Sequence, residues 1–305
     1  MDILQVKNLS VGFNIDINRK TQFFYALNNI NISFEEAKIH ALAGESGCGK
    51  SVFINTILKL LPKNAEIKSG EIIFKGENIR ANAEKLRGKQ IALIPQDPFM
   101  SLNPLYTIEN QLREVIDDID IIKNALSEVR INNIDNVLKS YPHELSGGMK
   151  QRITIAMALI SDADLILADE PTTALDMSVS NSILDLLLNL KNKGKTIILI
   201  THDLSIVANY CDSATIMYLG DIVEHASCSE LFKNPRHPYT KALLAALPNK
   251  RGKKLENIKG SISPITEIIQ GCKFHKRCNF AFNKCEQCKP ELQNVGLSKV
   301  SCLLY

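Results

Sequence analysis

Eight consecutive residues, Gly44-Glu45-Ser46-Gly47-Cys48-Gly49-Lys50-Ser51, place a lysine and a hydroxyl behind a glycine-rich turn. Glycine lets a backbone bend so tightly that successive N–H groups converge on one anion, and a helix starting just beyond adds partial positive charge. In such a P-loop Lys50 supplies a mobile cation for the outer phosphates and Ser51 a hydroxyl ligand for Mg²⁺, with Val52 closing the nucleotide-binding set. The chemistry this spacing points to is binding of a nucleoside triphosphate and transfer of its terminal phosphoryl group.

Two further segments suit the same chemistry. Leu165-Ile166-Leu167-Ala168-Asp169-Glu170 is an apolar run that ends in two acids. At the end of a strand beside a P-loop, Asp169 would hold Mg²⁺ through water, and Glu170 would orient or deprotonate the attacking water. Leu145-Ser146-Gly147-Gly148-Met149-Lys150-Gln151-Arg152 opens a helical pattern with small residues, so Ser146, Gly147 and Gly148 expose a second anion-binding helix end. One triphosphate is already accounted for by the P-loop, so the natural ligand of this end is nucleotide held by a second chain. Alone, each segment has a plain alternative: a glycine turn, a solvated loop start, a helix cap. Together the plain alternatives lose ground.

Elements must position these residues. Residues 39–43 read as a strand that runs into the P-loop, and a helical pattern follows from 50 to about 61. Further apolar strands are expected at 72–74, 91–94, 165–168, 196–200 and 214–218, the later ones separated by helix-length segments. This alternation predicts an α/β fold with a mainly parallel sheet core and a shorter antiparallel β region before it. No strand is expected between about 98 and 160, which reads as a helical insertion. Gln96 and His202 fall at the ends of expected strands, the edge of a parallel sheet where ligands gather.

Composition bounds the class. The 305 residues, 45% apolar and 23% charged, suit one large folded domain with an appendage and exclude global disorder. No long apolar run suggests a membrane span, and the start lacks the basic flank of a signal peptide. The net charge of +3 is too small to suggest a nucleic-acid partner. Its distribution is uneven: eleven Lys/Arg stand against four Asp/Glu from Pro248 onward, which leaves the first 247 residues at −4. Five of the eight cysteines also fall in this tail, a cluster that more often binds metal than forms disulfides in a chain without export signals. Thiolates there suit either an iron–sulfur cluster or zinc, and Cys285-Glu286-Gln287-Cys288 leaves Cys288 as a fifth candidate ligand.

The order of these motifs resembles that of the ATP-binding subunits of ABC transporters: P-loop, Gln96, Leu-Ser-Gly-Gly signature, acidic strand, Asp176 and His202 over residues 1 to about 246. The resemblance implies a P-loop ATPase domain over 1–247 with a helical subdomain at about 98–160. It implies two subunits sandwiching two ATPs, so that Ser146 and Gly148 of one meet the γ-phosphate held by Lys50 of the other. Gln96 would sense Mg²⁺ and water, His202 would contact the γ-phosphate, and Asp176 would line the seam. Phe13 is expected to stack on adenine, in competition with Phe23, Phe24 and Tyr25.

Residues 95–104, Tyr141-Pro142-His143-Glu144 and residues 234–244 narrow the resemblance to the dipeptide, oligopeptide and nickel importers. It implies an extension at 248–305 in which Cys272, Cys278, Cys285 and Cys302 bind a [4Fe–4S] cluster, with zinc as the alternative. It further implies two membrane permease subunits, a second ATPase of related sequence or a homodimer, an extracytoplasmic solute-binding protein, and a peripheral place on the cytoplasmic membrane face. The helical section between Thr107 and Tyr141 looks shorter than usual for the group. A soluble ABC-type ATPase acting on ribosomes or DNA is the rival; the chain has neither a heptad run nor a basic nucleic-acid face. Cys48 stands where serine is more common, and ATPase activity sensitive to thiol reagents is expected from it, an expectation that unchanged activity after alkylation of Cys48 contradicts.

Overall fold

The computed structural model describes residues 1–173, 175–247 and 258–305. Its strands are β1 (Asp2–Ile17), β2 (Lys20–Glu35), β3 (Ile39–Ala43), β4 (Ala65–Phe74), β5 (Glu77–Asn78), β6 (Ile91–Ile94), β7 (Leu165–Asp169), β8 (Thr196–Thr201), β9 (Ser213–Tyr218), β10 (Asp221–Ser227), β11 (Gln293–Val295) and β12 (Ser298–Val300). The α-helices are α1 (Lys50–Ile57), α2 (Ala83–Leu86), α3 (Pro98–Ser101), α4 (Ile108–Arg113), α5 (Ile119–Glu128), α6 (Ile134–Lys139), α7 (Gly147–Ile160), α8 (Met177–Asn192), α9 (Leu204–Tyr210), α10 (Cys228–Lys233), α11 (Pro238–Ala245) and α12 (Asn283–Gln287). The chain divides into two compact units: Met1, Glu35–Ile39 and Asn82–Leu199 form the first, and Asp2–Phe34, His40–Ala81 and Ile200–Tyr305 the second.

The first unit holds a strand order β8-β7-β6, with β6 and β7 parallel in the register Ile91↔Leu165 to Ile94↔Ala168. The paired residues of both are all apolar, the pattern of strands covered on two faces. Helices α3 to α7 fill the stretch between 98 and 160, where no strand occurs among the described residues. Here α5 packs on α7 through Ile122, Ala125 and Leu126, spaced to share one helix face.

The second unit carries two sheets. In one, order β2-β1-β4-β5, β1 runs antiparallel to β4 from Leu4↔Phe74 to Phe13↔Ala65. The hairpin joining β1 to β2 has left-handed backbone at both Asn18 (φ 51°) and Arg19 (φ 63°), the twist-matched two-residue turn. Sequence reasoning missed the length of these two strands because β1 loses its period of two near Asn8 (φ 50°), where the pairing register shifts between Lys7 and Val11. In the other sheet, order β11-β12-β10-β9-β3, β3 and β9 are parallel from His40↔Ser213 to Ala43↔Ile216, and β10, β12 and β11 add on antiparallel.

Helix α1 ends at Ile57, short of the expected Leu61, because Lys59 (φ 55°) turns the chain left-handed. The expected boundary between 247 and 248 meets residues 248–257, which lie outside the described residues, as does Ala174 of the segment before Asp176. The tail from 258 belongs to the same compact unit as the P-loop.

Phe34 is fully buried in the second unit, its ring 6.1 Å from Phe53 of α1 and 5.3 Å from His40 of β3. Truncation to alanine removes the ring that ties this helix to that strand, and Phe34→Ala is expected to cost about 3–5 kcal/mol. The check is the shift of the denaturant midpoint, and a shift under about 1 kcal/mol contradicts this packing role.

Candidate nucleotide site

The loop after β3 has the backbone that anion cradling needs. Gly44, Gly47 and Gly49 take φ values of 152°, 81° and 103°, and Gly49 caps α1. A Cβ on Gly44 would lie 2.3 Å from the Met217 carbonyl oxygen, and one on Gly49 2.7 Å from that of Ala26, so no side chain fits either end of the loop. Lys50, 5% exposed, folds back over the loop and donates from Nζ to the carbonyls of Gly44 (2.8 Å) and Glu45 (3.0 Å). Ser46, Gly47 and Ser51 face solvent, Val52 is half-buried, and Cys48 is buried. Burial pushes the Cys48 thiol above its ordinary range, opposed by the Lys50 ammonium, whose Nζ lies 3.6 Å from Sγ. The expectation of ready thiol-reagent sensitivity at Cys48 is therefore corrected: a buried thiol with little thiolate reacts slowly.

Glu45 was named from the sequence only as a loop residue, yet it has the most contacts outside the loop. Its N–H donates to Tyr239 Oη (3.0 Å), and its carboxylate receives two bonds from Arg277, Nη1 at 2.7 Å and Nη2 at 3.0 Å. Sequence gave no signal for this pair, since 232 positions separate its members.

A cavity of about 290 Å³ opens beside Gly47, walled by Phe23, Phe24, Tyr25, Ile265 and Ile268. Phe23 and Tyr25 meet edge to face at 5.0 Å. Phe13, half-buried and paired with Ala65, is not among the lining residues, whereas all three competing aromatics are.

In the first unit, Gln96 follows β6 and Glu170 follows β7. Gln96 Nε2 donates to Glu170 Oε2 at 3.3 Å, and Thr173 Oγ1 donates to the same oxygen at 3.0 Å. Glu170 has φ 45°, a left-handed conformation that few non-glycine residues adopt and that collects at functional sites. Asp169 ends β7, half-buried. Ser146 caps α7, its Oγ accepting from Met149 N–H at 3.3 Å, and is exposed beside half-buried Gly147 and Gly148. A Cβ on Gly148 would come within 3.2 Å of Val179 Cγ1. Asp176, also exposed, caps α8 through Val179 N–H at 2.9 Å. His202 belongs to the second unit, exposed just past β8.

Cys272, Cys278, Cys285 and Cys302 line one small cavity, which Cys288, exposed, does not reach. Burial raises the thiols of Cys278 and Cys302 and takes Cys272 to about 11, with the neighbouring cysteines adding to the rise. Among the described residues no group of three or more His, Cys, Asp or Glu is spaced to hold a metal ion.

Comparison with known proteins decides the family. A model of the ABC transporter family matches residues 27–173, and one described as oligopeptide/dipeptide transporter, C-terminal region, matches 223–285. The chain is 41% identical over 288 residues to a peptide ABC transporter ATP-binding protein of Sinorhizobium fredii, covering 88% of this chain and 86% of the relative. The chain belongs to the ATP-binding subunits of the ABC oligopeptide/dipeptide transporter family. The dipeptide transport ATP-binding protein DppD of Haemophilus influenzae is 37% identical over 318 residues, 99% of this chain and 95% of that one. Among solved structures, a dimeric ATP-binding cassette bound to ADP and phosphate matches with a TM-score of 0.65 at 25% identity, over 74% of this chain and 98% of its own. The protein cbiO1 of Clostridium perfringens, part of an ABC transporter complex, matches at 0.63 and 27%, over 76% and 91%. The fold is that of the ABC ATPase cassette.

Burial ranks the family member's cysteines by reactivity. Timed alkylation of the nucleotide-free protein, followed by peptide mass mapping, is expected to modify exposed Cys288 first and Cys48 far more slowly; equal rates at the two contradict the enclosed P-loop thiol.

Proposed function

We propose that this chain hydrolyses ATP to power the import of peptides, or of a related solute such as nickel, through an ABC transporter. The observation that carries the proposal is the phosphate loop, with glycines that admit no side chain and a lysine at its helix, within a chain that is alike over nearly its whole length to a dipeptide transport ATP-binding protein. The loop N–H groups and Lys50 bind the triphosphate, while Gly44, Glu45, Ser46, Gly47, Cys48, Gly49, Ser51 and Val52 shape the cradle. The adenine is assigned to the aromatic cavity of Phe23 and Tyr25 beside Gly47, in preference to Phe13.

Ser51, Gln96 and Asp169 are assigned to Mg²⁺, which when bound offsets charge on the β- and γ-phosphates. Glu170, with one carboxylate oxygen already fixed by Gln96 and Thr173, orients water and takes its proton. His202 contacts the γ-phosphate. Ser146, Gly147, Gly148 and Asp176 serve the nucleotide of a second subunit, a related chain or another copy of this one. Exposure of Ser146 and Asp176 supports that role.

The partners proposed are two membrane permease subunits and, through them, an extracytoplasmic solute-binding protein. Exposed Phe99, Met100 and Leu105, 59%, 85% and 80% accessible, support a docking surface in the helical section. Among the described residues no helix is long and apolar enough to cross a membrane. The proposed place is peripheral, at the cytoplasmic membrane face, on the likeness to transporter ATP-binding proteins.

The tail thiols are proposed to hold a [4Fe–4S] cluster. Four sulfurs around one cavity support it, since thiolates are the ligands that such a cluster takes. A bound cluster would supply positive charge that favours four thiolates, and with it cross-links that hold a small polar tail in shape.

Replacement Glu170→Gln is expected to lower ATP turnover by at least about a hundredfold while sparing ATP binding and prolonging the ATP-bound dimer. Normal turnover in this variant refutes the assigned role. Anaerobically purified protein is expected to absorb visible light and to lose that absorbance in Cys278→Ser; a colourless wild type overturns the cluster.

A further inference from the structure

We propose that Arg277 of the C-terminal extension is a positioning residue for the P-loop, holding the Glu45 carboxylate out of the phosphate cradle and so setting the affinity for ATP. The inference rests on the reading of that loop as the ATP site and goes beyond it, since it gives the tail a part in nucleotide binding.

An acid at the second residue of an anion-binding loop works against its ligand. Left to swing, the Glu45 carboxylate would share a few ångströms of loop with a triphosphate, and like charges at that range repel strongly where water is partly excluded. In the structure it is turned away and neutralised by a two-pronged guanidinium bond at 2.7 and 3.0 Å. The guanidinium is itself fixed. Its side chain is 6% exposed, its Nε donates to the Lys259 carbonyl at 2.9 Å, and Nη1 also reaches Tyr218 Oη at 3.4 Å. Its carbon lies 5.8 Å from the Tyr218 ring centre and 6.0 Å from that of Phe274.

These aromatics tie the arrangement to the loop a second time. Phe274 packs edge to face on Tyr218 at 5.2 Å and against Tyr239 at 5.2 Å, and Tyr239 Oη accepts the Glu45 N–H. One loop residue is thus held by its backbone from α11 and by its side chain from the tail. Arg277 immediately precedes Cys278, one of the four thiols around the small cavity, so the guanidinium is carried by a segment that also lines that cavity.

The test is ATP affinity of the full-length protein, by equilibrium binding of a fluorescent ATP analogue and by steady-state kinetics, with thermal melting as the control for folding. Arg277→Gln is expected to raise Kd about tenfold, with KM rising in step and kcat within about twofold, because the loop that binds is affected and not the group assigned to water. In Glu45→Gln/Arg277→Gln the carboxylate is gone while the backbone of residue 45 keeps its place in the loop, and Kd is expected to fall at least about threefold below that of Arg277→Gln. A folded Arg277→Gln protein with wild-type Kd overturns the proposal, as does a double variant no better than the single one. Should Arg277→Gln fail to fold, Arg277→Lys decides: a single-pronged ammonium is expected to raise Kd at least about threefold, and a wild-type value overturns the proposal. Lys50→Ala separates the two layers of the argument. Unchanged binding there refutes the P-loop reading itself, whereas lost binding there with unchanged binding in the arginine variants refutes only the part given to Arg277.

Discussion

The phosphate loop runs where backbone touches backbone. At Gly44 and Gly49 the neighbouring carbonyls of Met217 and Ala26 occupy the space a β-carbon would take, and Gly220 meets Ala26 in the same way at 2.3 Å. Close approach between β2, the loop after β3 and the turn after β9 therefore depends on three positions without side chains. That approach fixes the start of α1 and with it the root of Lys50. A loop packed this tightly leaves its inner thiol, Cys48, without access to solvent, and directs its acid, Glu45, toward the tail.

The candidate catalytic and nucleotide-binding residues share a second feature, their place at the ends of elements. Ser146 and Asp176 cap α7 and α8, Gln96 and Glu170 follow β6 and β7, and His202 follows β8. Helix starts leave N–H groups unpaired and strand ends release the chain from the sheet, so both put polar groups where a ligand can meet them. The left-handed turn at Glu170 and the bond from Gln96 fix one of its carboxylate oxygens.

Much of this was legible in the sequence because it is local. The P-loop, the Leu-Ser-Gly-Gly helix start and the acidic strand end are each set by a few consecutive residues, and the structure has β3 and α1 around the first, α7 after the second and β7 before the third. What escaped was long-range or irregular. Asn8 and the Asn18-Arg19 turn hid two sixteen-residue strands behind broken alternation. The bond between Glu45 and Arg277 joins residues that no pattern links, and the cavity that favours Phe23 and Tyr25 over Phe13 needs tail residues 265 and 268 to exist. For the cysteines the family resemblance implied Cys272, Cys278, Cys285 and Cys302 as one set with Cys288 as a fifth candidate, and the packing has those four around one cavity with Cys288 outside it.

Strand β12 lies along β10, with Glu224 opposite Val300 and His225 opposite Lys299, and the three-residue β11 closes the row. Without these last residues β10, whose Ile222, Val223 and Ala226 are buried, would offer a free row of amide and carbonyl groups, an open invitation to stick to its like. The extension thus also works as selvage: it finishes the fabric of the sheet with a short, mostly polar hem of two three-residue strands.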